Sequence, residues 1–137
     1  MFEAKLLEFL PRGDERGYLV AIEENKEIPF QIKRVFYIYG TKYNVKRGQH
    51  ANLNSEFVLI NIAGKSKVKI DDGNEIKIFE LNRPHTGIYI PRMYWKEMYD
   101  FSDDAILLCL ASEYYDDGEY IRDYFRVKKI KGDYFEL

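Results

Sequence analysis

Short runs of β-branched and aromatic residues follow one another along most of the chain: YLVAI, IKRVFYIY, EFVLINIAG, SKVKI, EIKIFEL, TGIYI and AILLCLA, each bounded by turn signals. Val, Ile, Tyr and Phe pack well on a pleated surface, so such runs read as strands. With the polar segment around His50 they amount to eight or more short strands and little helix. That inventory points to an all-β sandwich or jelly-roll barrel rather than an α/β sheet, which would need helices between its strands. In KIDDGNEIK, Asp72-Gly73 separates two alternating runs (Val68, Ile70; Ile76, Ile78), a strong hairpin signal. Near the C-terminus the period changes. DDGEYIRDYFRVKK sets Tyr120, Ile121, Tyr124 and Phe125 at helical spacing behind Asp116 and Asp117 as caps, so one short amphipathic helix is expected there. No repeat, low-complexity tract or linker-like shift divides the sequence, and its 137 residues suit a single domain over 1–137.

Composition removes several classes of function. Apolar residues make up 46% and aromatics 16%, enough for a packed interior and too much for a disordered chain. A net charge of −2 argues against bulk nucleic-acid binding, while leaving room for a small anion held by a few arginines. The opening MFEAKLLEFL has no basic start, long apolar run or small-residue cleavage site, so a cytoplasmic protein without membrane contact is expected. The single cysteine, Cys109, lies in an apolar run and reads as a buried, inert thiol.

Chemistry-bearing residues gather near one of the two histidines. Because strand side chains alternate, His50, Asn52, Asn54 and Glu56 are expected on one face. The other histidine, His85, follows Pro84 between strands and reads as an exposed turn residue. HANLNSE followed by Gly64, and GIYIPRMYWKEM with Gly87, Pro91 and Trp95-Lys96, resemble the two motifs of the cupin superfamily, a double-stranded β-helix barrel. In metal-binding cupins those motifs supply three histidines and a glutamate, which the resemblance maps onto His50, Asn52, Glu56 and Lys96. Asparagine is a poor ligand for such metals and a protonated lysine repels them, so no metal is expected.

A longer match covers nearly the whole chain, from about Leu7 to Tyr124. ERGYLVAIEENKEIPFQIKRVFYIY, KRGQHA, DDGNEI, GIYIPRMYWKEMYDFS and LASEYYDDGEYIRDY together resemble the nucleotide-sugar 3,4-ketoisomerases. These are bacterial cupins that convert dTDP-4-keto-6-deoxyglucose to a 3-keto sugar. The resemblance implies a dTDP-linked 4-keto-6-deoxyhexose as substrate, no cofactor, and a homodimer with exchanged N-terminal strands. It also implies a place in making 3-amino-3,6-dideoxyhexoses of bacterial surface glycans such as the O-antigen of lipopolysaccharide. The family usually writes RGxHAHK and WHEM; this chain has Asn52 and Lys96 in place of the two later histidines.

Moving a ketone from C4 to C3 needs a base at C3, a group that stabilises the enediolate, and an acid at C4. A histidine titrating near neutrality is the natural proton carrier, which makes His50 the candidate base. Tyr37 and Tyr39 share a face of the preceding strand; Tyr37 is the candidate second donor and Tyr39 a pocket residue. The amide N–H of Asn52 can serve the enolate oxygen. The two phosphates of the substrate call for arginine forks, with Arg47 foremost, then Arg34 and Arg16. Lys96 borders the same pocket, either buried with a shifted pKa or reaching to solvent. Tyr114, Tyr115, Tyr120 and Tyr124 read as helix-docking and subunit-contact rings. A 3,5-epimerase-like enzyme and a non-catalytic sugar-nucleotide binder are the competing readings.

Overall fold

The β-branched runs pair as antiparallel strands in the computed structural model, which describes residues 4–135. In chain order the elements are β1 (Lys5–Glu8), β2 (Arg12–Asp14), β3 (Gly17–Leu19), β4 (Arg34–Tyr39), β5 (Arg47–Asn52), β6 (Phe57–Ala63), β7 (Ser66–Asp71), β8 (Ile76–Leu81), β9 (Thr86–Ile90), β10 (Trp95–Tyr99) and β11 (Ile106–Ala111), then a 3₁₀ turn (Asp117–Glu119), β12 (Tyr120–Ile121) and α1 (Tyr124–Phe135). Two five-stranded sheets result, ordered β1-β9-β6-β11-β4 and β12-β5-β10-β7-β8, with β2 and β3 forming a separate hairpin.

The main core lies between the sheets, where Phe57, Leu59, Ile88, Leu107 and Cys109 of the first meet Val68, Ile70, Leu81 and Met98 of the second. Each sheet is also covered outside. Ile28 and Phe30, with Val20, Ile22 and Ile32, pack over Val58, Ile60, Tyr89 and Leu110 of the first. Val127 and Tyr124 of α1 pack over Ala51, Trp95 and Ile121 of the second. Burying apolar area contributes roughly 25 cal/mol per Å², so these two outer layers are part of what holds the fold together.

The Asp72-Gly73 hairpin forms as expected. Asp72 Oδ1 accepts the backbone N–H groups of Asn74 and Glu75, both at 2.8 Å, and Gly73 takes φ 99°. Residues 72–75 thus close β7 onto β8, but Ile76 and Ile78 face outward on this edge strand. YLVAI is strand only at its start: Val20 and Ile22 belong to the irregular layer over the first sheet.

The C-terminal helix starts later than its periodicity predicts. Asp116 caps the 3₁₀ turn, accepting from Gly118 N at 2.9 Å, and Tyr120–Ile121 are strand, paired with Asn52 and Ala51. The free edge of β5 supplies ladder partners that a helix would have left unsatisfied. The helix opens after Asp123, whose Oδ1 accepts from Phe125 N at 3.0 Å, and Phe125 itself is solvent-exposed. Among the described residues no helix is long and apolar enough to cross a membrane.

Candidate active site

The site is built on the inner face of β5, and a bulge sets its register. His50 pairs with Lys96 and Gly48 with Glu97, so Gln49 is an extra residue on β5. Gly48 (φ 82°) and Gln49 (φ 59°) make this bend in left-handed backbone. At Gly48 a Cβ would come within 2.9 Å of the Lys96 carbonyl oxygen, so the position needs glycine on both counts. Below the bulge, Arg47 pairs with the buried Met98. Without it, a residue three before His50 would face the other way. With it, Arg47, His50 and Asn52 share the face that carries Lys96 and Met98 of β10.

Lys96 is 3% exposed, and its Nζ donates to Asn52 Oδ1 at 3.0 Å and to the Tyr94 carbonyl at 3.5 Å, over the face of Phe57 at 4.9 Å. Burial pushes its pKa down to about 7, against the charge of Glu119, which favours the ammonium. Glu119 is also buried; it accepts from Asn54 N at 2.9 Å, from Ser55 N at 2.8 Å and from Ser55 Oγ. Lys96 is therefore a buried amine, and the snorkelling alternative is excluded.

His50 is half-buried. Desolvation first, and then the positive charge of Lys96, push its pKa down to about 3, so the imidazole is neutral at physiological pH and a weaker base than the near-neutral histidine expected from the sequence. Its ring lies against that of Tyr120, centroids 4.7 Å apart. Arg34 Nη2 donates to the Tyr120 hydroxyl at 3.1 Å, and its guanidinium sits 4.8 Å over Phe36 and 5.3 Å from the Tyr115 ring. Arg122, paired with Asp117, lies 5.1 Å over the same Tyr120 ring.

The cations converge. Burial drives the Cys109 thiol up to about 12, and Arg34, Arg47 and Lys96 all act on it in the opposite sense. Three basic side chains thus act electrostatically on the barrel interior at this inert cysteine. Two donors in the same place, Arg34 Nε and Asn52 Nδ2, are buried without a hydrogen-bond partner. Such donors are rare and costly unless a ligand completes them. Together the site offers a neutral base, unpaired donors and positive charge, which suits a polyanionic carbonyl compound undergoing proton transfer.

Several residues expected here lie elsewhere. Tyr37 and Tyr39 share the outer face of β4 with Val35, all three exposed, whereas Arg34, Phe36 and Ile38 face inward. Tyr37 is therefore not brought to His50 within this chain; the phenol ring that lies against His50 is that of Tyr120. Tyr120 is invisible to helical periodicity because only its pairing opposite Asn52 aims it inward. Glu56 leaves the face as well, since β5 ends at Asn52 and the Glu56 carboxylate accepts from Tyr89 on the outside of the first sheet. Glu119 is the carboxylate beside Lys96. Arg16 lies on the free hairpin, bonded to Asp14 at 2.7 Å and open to solvent. His85 sits in its turn but is half-buried. No group of three or more His, Cys, Asp or Glu side chains gathers among the described residues.

Comparison with known proteins places this geometry in context. The family model described as FdtA: WxcM-like, C-terminal, matches residues 2–132. A TDP-4-oxo-6-deoxy-alpha-D-glucose-3,4-oxoisomerase of Aneurinibacillus thermoaerophilus is 49% identical over 127 residues, 93% of this chain and 91% of that one. A 3,4-ketoisomerase from Helicobacter canadensis superposes with TM-score 0.91 at 45% identity, over 95% of this chain and 98% of that one. A histidine-to-asparagine variant of the QdtA 3,4-ketoisomerase from Thermoanaerobacterium thermosaccharolyticum, in complex with TDP-4-keto-6-deoxyglucose, superposes with TM-score 0.93 at 38% identity, over 98% of both chains. A dTDP-4-dehydrorhamnose 3,5-epimerase from Bacillus anthracis shares only the fold, at TM-score 0.76 and 19% identity over 85% of this chain and 76% of that one.

Proposed function

The chain belongs to the FdtA family, and from that premise we propose that it is a sugar-nucleotide 3,4-ketoisomerase acting on TDP-4-keto-6-deoxyglucose. The observation that carries the reading is 49% identity to a 3,4-oxoisomerase over 93% of the chain. The site supports it with a neutral, half-buried imidazole beside unpaired donors. The fold is that of the cupin barrels, closed outside by one C-terminal helix.

In this mechanism His50 takes the proton from C3. The C–H electron pair forms the C3–C4 double bond, and the carbonyl pair moves onto the C4 oxygen, where Asn52 Nδ2 donates to the developing charge. The imidazolium exchanges its N–H with water while the enediolate is held, and it then delivers a proton to C4. The C3 hydroxyl gives up a proton to become the ketone, and the C4 oxygen gains one, with Tyr120 placed to relay it. Hydrogen moves between neighbouring carbons with no net oxidation, so the steps need neither redox cofactor nor metal. Arg47 and Arg34 supply forks for the pyrophosphate.

The working unit is a homodimer with exchanged N-terminal strands. Supporting this, the β2–β3 hairpin pairs with neither large sheet, and Leu10, Tyr18, Leu19, Val35, Tyr37 and Tyr39 are exposed apolar surface for a second copy to cover. Tyr37 and Tyr39 then serve that interface, and Arg16 borders the pocket by way of the exchanged hairpin. We take the 137 residues as a single cupin domain acting in the cytoplasm. Its product feeds an aminotransferase on the route to a 3-amino-3,6-dideoxyhexose of a surface glycan. Incubation with TDP-4-keto-6-deoxyglucose, followed by proton NMR, should reveal a 3-keto product. An unchanged sugar, or one epimerised at C3 and C5, would overturn the reading in favour of a binder or an epimerase.

A further inference from the structure

Lys96 comes from β10 and Asn52 from β5, yet Lys96 Nζ lies 3.0 Å from Asn52 Oδ1 inside the barrel. Both residues are buried, Asn52 completely. A protonated amine has only donors to offer, so the oxygen end of the amide faces it and the nitrogen end faces away. That Nδ2 carries two N–H groups with no hydrogen-bond partner, on the strand face that holds His50.

We propose that Lys96 is a positioning residue: by engaging Asn52 Oδ1 it fixes the amide so that Nδ2 is presented to the sugar oxygen that carries negative charge in the enediolate. The inference rests on the ketoisomerase reading and assigns the Asn52–Lys96 pair one joint task. An asparagine with both ends free would sample either orientation and offer its oxygen, which repels an enolate, about as often as its nitrogen. Nothing is transferred from the pair. Lys96 holds Asn52, Asn52 donates, and the migrating proton travels through His50. The cage around Lys96, formed by Phe57, the Tyr94 carbonyl and the charge of Glu119, leaves the amine little freedom to turn elsewhere.

Two substitutions separate this arrangement from a structural one. Asn52→Asp keeps an oxygen for Lys96, now as an ion pair, and replaces the donor with a second oxygen. It should fold and bind TDP, keep its KM, and lose about 10²–10³ in kcat. Lys96→Met frees the amide, and kcat should fall by about tenfold or more in an otherwise native chain, with no further loss in an Asn52→Ala background. An Asn52→Asp enzyme with native kcat would overturn the proposal, and so would a Lys96→Met effect of equal size in both backgrounds. If the wild-type protein forms no 3-keto product, the ketoisomerase reading and this inference fall together. If it does, those variants decide the inference alone.

Discussion

Replacing Lys96 with methionine should stabilise the fold while impairing the enzyme, and the gain should depend on pH in a defined way. The folded chain holds this amine at a pKa of about 7 against 10.5 for an exposed lysine. That gap corresponds to roughly 5 kcal/mol of destabilisation at and below neutral pH, an upper bound from linkage. Methionine removes this cost but strands Asn52 Oδ1, worth about 1–3 kcal/mol. It also gives up the ammonium contact with Phe57, about 0.5–2 kcal/mol. Glu119 stays satisfied by Asn54 N, Ser55 N and Ser55 Oγ. The balance is a net gain of about 1–3 kcal/mol near neutrality, in the range seen when buried charges are replaced by apolar groups. Between the folded and unfolded pKa values the unfolded chain binds the extra proton, so wild-type stability rises with pH by up to about 1.4 kcal/mol per unit. The advantage of Lys96→Met should therefore shrink from about pH 7 upward and vanish or reverse by about pH 10. Urea unfolding of both proteins across this range, at one fixed protomer concentration, measures it. A constant difference at all pH values, or a variant less stable at pH 7, would refute the placement of Lys96 as a destabilised buried amine.

His50→Asn should abolish turnover and leave TDP affinity nearly unchanged by calorimetry, because the imidazole moves protons and does not hold phosphates; retained turnover would remove His50 as the base. Since burial and Lys96 hold the His50 pKa at about 3, kcat/KM should show no loss as pH falls through the ordinary histidine range. A descending limb near the Lys96 pKa of about 7 should appear instead, and Lys96→Met should abolish it. An acid limb near pH 6.5 would contradict the neutral imidazole. Tyr120→Phe should lower kcat by about 10- to 100-fold, whereas Tyr37→Phe should leave it intact. The opposite pattern would return the donor role to Tyr37.

Elements made by local pattern were legible in the sequence, and those made by pairing were not. The strands β4 to β9 and β11, and the Asp72-Gly73 hairpin, follow from alternation and turn chemistry, which act over a few residues, whereas β10 is made by its pairing between β5 and β7. Alternation also puts His50 and Asn52 together. It cannot say which face of β4 turns inward, because Val35-Tyr37-Tyr39 and Phe36-Ile38 are both apolar enough to be core. The choice falls to the pairing of β4 with β11, and it sends the tyrosines outside. Arg47 reaches the site only through the bulge at Gln49, for which Gly48 is the one sequence hint. Tyr120 and Glu119 arrive because a two-residue strand docks on the edge of β5, against the helical spacing of their own segment. The second cupin-like motif points to Lys96, but its bond to Asn52 joins strands far apart in sequence.

The account rests on His50 removing the C3 proton, exchanging with solvent and protonating C4 of the enediolate, and deuterium reads that path directly. TDP-4-keto-6-deoxyglucose incubated with the enzyme in deuterated water should give a 3-keto product labelled at C4, seen by NMR and by a one-unit gain in mass. Label at C3 and C5 without a moved ketone would show epimerisation, and recovery of unlabelled substrate would show binding alone; either result would contradict the account.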